Sequence, residues 1–160
     1  MTARAERYAA AAQTLLRESG CTVRRWRSGS SGSAYIGTPD WAIECPRPTG
    51  PVSFAILAHE VGHHLLHGDK KRRPRWVEEV EAWEYALAQF RRFGLSGSVQ
   101  LERHAAISIG YAFVKAIRRS PLLASTIFER YPEWWLAAER EDARGLFEPA
   151  MSRERKALDE

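Results

Sequence analysis

Along most of the chain, apolar residues recur every three or four positions. Between residues 21 and 45 they give way to clusters of β-branched and aromatic residues, which predicts a helical body carrying one small sheet. The alanine-rich segment 3–18 reads as a helix stopped by Ser19-Gly20. CTVRRWRS, the turn SGSSGS, and then SAYIG and DWAIECP around Thr38-Pro39 supply the strands. The helical period returns over 52–67, closed by Gly68. It continues through Trp76, Val80, Trp83, Leu87 and Phe90 to Phe93-Gly94, and again over 99–120 until Pro121. Helical pieces at 121–130 and 133–147 follow, separated by Tyr131-Pro132. On helix 99–120 the expected inward positions are Leu101, Ala105, Ile109, Ala112 and Ala116.

One helix breaks the usual division of labour between core and surface. LAHEVGHHLLHG, residues 57–68, sets four histidines and a glutamate into an otherwise apolar run. His59 and His63 are four apart, so they share a face about 6 Å apart along the axis, and both imidazoles can reach one metal ion. Glu60 follows His59 around the wheel, whereas Phe54, Ala58, Val61 and Leu65 fall opposite and are expected in the core. H-E-x-x-H in this setting points to zinc held by two histidines, with Glu60 as general base on a metal-activated water. His67 lies about 12 Å along the axis from His59, too far to join the same ion. It is expected beside the site or at the helix end, and His64 is expected to be structural.

Catalytic zinc generally takes three protein ligands, so a third must come from elsewhere. EEVEAWE on the next helix offers Glu78, Glu79, Glu81 and Glu84. With the apolar centre of that helix near Trp76, Glu79 lies about 60° away and Glu84 about 80° on the other side, while Glu78 and Glu81 lie beyond about 130°. Glu79 is therefore the expected third ligand and Glu84 the second choice. Glu78 and Glu81 are expected to be solvated charge.

HEVGHHLLH, preceded by strand-like segments and followed by E-V-E-A-W-E-Y-A on a later helix, resembles the ImmA/IrrE-type metallopeptidases of the gluzincin group over residues 34–90. The resemblance implies a compact zincin-like α+β metallopeptidase domain. In it, a small antiparallel sheet packs on a mainly helical body that has the HExxH helix in its core. It also implies that the first glutamate of the E-x-E-A-like segment, Glu79, is the third zinc ligand, and that the substrate is a repressor or other regulatory protein. The family more often has a small polar residue where this chain has Trp83.

A length of 160 residues with 44% hydrophobic content suits one domain, expected over 1–150, with a charged tail at 151–160 expected to fray. The net charge of +4 comes from interspersed charges of both signs, which leaves nucleic-acid binding possible but not indicated. KKRRPR at 70–75 reads as a solvated basic loop. Two cysteines, no signal-like amino terminus and no run of about 20 apolar residues lead to the expectation of a cytoplasmic protein away from membranes.

Tyr85, His104, Tyr111 and Tyr131 are the candidate donors to a reaction oxyanion. Substrate is expected to lie extended along an edge formed by SAYIG or DWAIE. Trp134 and Trp135 cannot both face one core from the same helix. The rival to a zinc endopeptidase is a non-catalytic, zinc-stabilised module for binding protein or nucleic acid. Glu60 separates the two, because a structural zinc needs no general base. A protease with three histidine ligands would need His104, which sits on a distant helix.

Overall fold

The computed structural model describes residues 2–68 and 73–141 together with 145, 147, 149, 150, 152 and 156. Its elements are α1 (Ala3–Ser19), β1 (Thr22–Arg27), β2 (Ser33–Ala34), β3 (Ala42–Pro46), α2 (Pro51–His67), α3 (Arg75–Arg92), α4 (Val99–Arg119), α5 (Leu123–Arg130) and α6 (Pro132–Arg140). The described residues are thus α+β, with six helices and a small sheet. No helix among the described residues is long and apolar enough to cross a membrane. The first half of KKRRPR (70–72), much of the end of the expected helix 133–147 and most of the expected tail lie outside the described residues.

Two compact units are present, Met1–Arg73 with Glu81–Leu101, and Pro74–Val80 with Glu102–Glu160. In the first, the Thr2 hydroxyl accepts from Ala5 N at 3.3 Å to start α1, and Gly20 ends it at φ 71°. Tyr8 of α1 packs against Phe54 and Phe90 and donates its hydroxyl to the Ser96 carbonyl at 2.7 Å. In the second unit, Phe113 of α4 meets Trp76 and Trp135, and Trp135 meets Phe147. Trp135 is the buried member of the tryptophan pair and Trp134 is half-buried.

The sheet is mixed, not antiparallel. Its order is β1-β3-β2, with β1 parallel to β3 and β2 antiparallel to it. The register explains the difference. Arg27 at the end of β1 pairs with Pro46, and Ser33 at the start of β2 pairs with Glu44 on the other side. Ser28–Gly32 therefore arches over the end of β3 and descends its far edge instead of folding back as a hairpin. A run of glycine and serine permits so short a crossing.

Central β3 is buried from Ala42 to Cys45. Its one charge, Glu44, accepts from Arg27 Nε at 3.0 Å and from the Tyr35 hydroxyl at 2.9 Å. These bonds hold its carboxyl below the ordinary carboxylate range, Tyr35 first and Arg27 second.

Candidate metal centre

Helix α2 opens at Gly50-Pro51. The Thr49 and Gly50 amides both donate to Ser53 Oγ at 3.1 Å, and proline occupies the first turn, where no amide is needed. From Phe54 to His64 every residue is buried, polar ones included. Leu65, expected in the core, is instead 43% exposed, because it lies about 200° around the helix from the buried His67.

Helix α3 approaches α2 at Gly62. A Cβ there would lie 3.0 Å from Tyr85 Cδ1 and 3.3 Å from the Ala82 carbonyl oxygen, so glycine sets how close the two helices come. Trp83 of α3 lies against the His59 ring, with centroids 4.5 Å apart. Glu79 sits one turn earlier on the same unbroken helix, and its place follows from this packing of α3 on α2.

His59, His63 and Glu79 each offer one ligand atom, and the three atoms lie within 4.8 Å of one another. Among the described residues this is the only group of three or more histidine, cysteine, aspartate or glutamate side chains close enough to hold a metal ion. Glu84 does not belong to it and is exposed. His104 does not belong either; it is half-buried on α4, and burial lowers its pKa. The Nε2 atoms of His59 and His63 are 3.1 Å apart. Two nitrogens bound tetrahedrally to zinc at about 2.05 Å would be about 3.3 Å apart, so the pair needs almost no adjustment to take an ion. Arg75 makes an ion pair with Glu79 Oε1 at 2.7 Å, which orients the carboxylate from the solvent side.

The remaining histidines take separate roles. His64 turns to the sheet, where its Nε2–H donates to the Ala42 carbonyl at 3.1 Å and its ring stacks on Trp41 at 5.5 Å. Trp41 adopts φ 43°, a left-handed conformation that is strained for a bulky side chain and that holds the indole over His64.

His67 is buried between His63, whose Nδ1 lies 3.2 Å from its own Nδ1, and Glu81, whose Oε2 lies 3.1 Å from its Nε2. Glu81 is therefore not simple solvated charge. Arg73 also donates to the same oxygen at 2.9 Å. Glu81 lies beyond about 130° from the apolar centre of α3 and is engaged all the same, because α2 projects His67 to that flank.

Glu60 is buried, 6% exposed, and faces the sheet at the point where the Ser28–Gly32 arch descends. A Cβ on Gly32 would overlap its carboxylate, lying 2.7 Å from Cγ and 2.8 Å from Cδ. Sequence reading missed Gly32, although the glycine in SGSSGS was its visible signal. Cys45 lies nearby, and its thiol is pushed up to about 12 by burial and then by the charge of Glu60. It therefore stays protonated and is a poor metal ligand.

Of the expected substrate edges, DWAIE is excluded, since β3 is central and paired on both sides. SAYIG contributes the two-residue edge strand β2. Tyr85 is half-buried beside Gly62, and burial raises its pKa, so its hydroxyl keeps its proton at neutral pH.

No family model, curated protein or solved structure matches the chain in comparison searches.

Proposed function

We propose that this chain is a zinc-dependent endopeptidase of the ImmA/IrrE type, acting on a repressor or another regulatory protein. The observation that carries the reading is the convergence of His59, His63 and Glu79 within 4.8 Å, with Glu60 on the next position of the same helix. Two histidines and a glutamate form a donor set of catalytic zinc sites. Bound there, zinc would lower the pKa of a coordinated water to about 7 and polarise the scissile carbonyl.

The protein's own groups do the rest. Glu60 takes a proton from the attacking water and delivers it to the leaving amine. Gly32 leaves the room in which the Glu60 carboxylate sits. An extended substrate chain pairs with the outer edge of β2, which is the strand that descends from that contact. The regulatory-protein substrate rests on the resemblance of HEVGHHLLH and E-V-E-A-W-E-Y-A to that family.

The test compares wild type with Glu60→Gln on repressors encoded beside the gene, with zinc content measured in both. The variant is expected to keep zinc and to cleave about 10²–10⁴-fold more slowly, the contribution of a positioned general base. Equal zinc in both proteins, with no cleavage by either, would favour a zinc-stabilised binding module instead.

A further inference from the structure

We propose that Glu81 and His67 form a positioning relay that fixes the tautomer and orientation of the metal ligand His63. This inference rests on the zinc reading. The chain of contacts runs from Arg73 Nη1 to Glu81 Oε2 at 2.9 Å, from that oxygen to His67 Nε2 at 3.1 Å, and from His67 Nδ1 to His63 Nδ1 at 3.2 Å. His63 Nε2 is the atom turned toward His59 and is the ligand candidate.

Proton placement along the chain is forced. A ligating Nε2 must present a lone pair, so the proton of neutral His63 sits on Nδ1 and is donated to His67 Nδ1. His67 then carries its own proton on Nε2, and the acceptor waiting there is the Glu81 carboxylate. Reversing the His67 tautomer would leave its Nε2 facing the Glu81 carboxylate with no proton between them, and reversing His63 would set two Nδ1 lone pairs against each other. Arg73 shares the same carboxylate oxygen and holds it aimed at His67. His67 is 4% exposed, so water cannot readily substitute for either partner. Metal-binding histidines ordinarily hand their second N–H directly to a carboxylate or carbonyl. Here an additional imidazole spans the gap to Glu81, because His67 stands one turn beyond His63 on the same face of α2.

The experiment measures zinc affinity by competition with a chromophoric chelator for wild type, Glu81→Ala, Glu81→Gln, His67→Leu and, as a control on exposed α3 surface, Glu84→Ala. Zinc-free thermal stability is recorded for each. Long-range proton–nitrogen NMR of the zinc-free wild type reads the imidazole tautomers independently of metal. Expected are a 10–100-fold loss of affinity in Glu81→Ala and His67→Leu, a smaller loss in Glu81→Gln, whose amide oxygen still accepts, and no change in Glu84→Ala. The expected spectrum shows protons on His63 Nδ1 and His67 Nε2. Affinities within twofold of wild type, or the opposite tautomers, overturn the relay. Wild type that binds no zinc while showing the expected tautomers overturns the zinc reading and leaves the hydrogen-bond chain standing.

Discussion

Helices α2 and α4 bury their residues in different ways. α4 buries a stripe, Leu101, Ala105, Ile109, Phe113 and Ile117, and leaves Ile107 and Tyr111 45% and 57% exposed. α2 is buried around its whole circumference over about three turns and includes four of the chain's five histidines, all at 6% exposure or less. An apolar stripe is satisfied by area alone. A buried imidazole or carboxylate costs free energy unless each polar atom finds a partner, so its burial commits a direction as well as a surface. In α2 those directions diverge: His64 to the sheet, His67 to Glu81, and His59 and His63 toward each other and Glu79.

The contrast breaks most visibly if metal is irrelevant to α2. Zinc at about 100 times its dissociation constant is expected to stabilise wild type by about 2.7 kcal/mol in denaturant unfolding, and His59→Ala by nothing. Stabilisation that survives in the variant would mean that the ion binds elsewhere.

A paired glycine experiment comes next in size. In α4, a Cβ on Gly110 would lie 2.9 Å from the Ala138 Cβ and 3.2 Å from Phe147 Cε2, and the Ala138 atom cannot swing aside. Gly110→Ala is expected to lose stability, since an overpacking cost of about 1–3 kcal/mol exceeds the ~1 kcal/mol gained in helix propensity. In α2, Gly62→Ala meets the Tyr85 ring at 3.0 Å and the Ala82 carbonyl at 3.3 Å, contacts that a small shift relieves. Its net stability change is expected to stay below about 1 kcal/mol. Its zinc affinity should fall, because the same shift moves the helix carrying Glu79. Equal effects of the two substitutions on both measurements would erase the distinction between a packing glycine and a site glycine.

The smallest effect concerns the sheet that covers α2. Glu44 has its pKa lowered in the folded protein by Tyr35 and then Arg27, so its contribution is fully present above the ordinary glutamate value of 4.5 and is lost as pH falls below it. Glu44→Gln is expected to flatten the acid limb of a stability-versus-pH curve and to leave the neutral region's slope unchanged. An unaltered acid limb would show that these hydrogen bonds do not distinguish folded from unfolded chain.

Much of this was legible in the residues. Glycine and proline punctuation placed α1 to α4 within a residue or two, since caps and stops act locally. The i, i+4 spacing put His59 and His63 on one face, and the wheel argument preferred Glu79 to Glu84 for the side that the structure turns toward them. Where the inference failed, the arrangement of other elements decided the outcome. Leu65 lies on the side of the last turn of α2 away from buried His67, Glu81 is engaged because His67 reaches it, and the sheet is mixed because an arch crosses β3 where an antiparallel sheet was expected.

The sequence by itself determined the periodic helices, the histidine pair and the neighbouring Glu60, because those relations are properties of a single helix with a fixed rotation per residue. Only the tertiary structure decided which glutamate of α3 meets that pair, which carboxylate answers His67, and that Gly32 adjoins Glu60. Each of these depends on the distance and rotation between two elements, and those are set by packing many side chains at once.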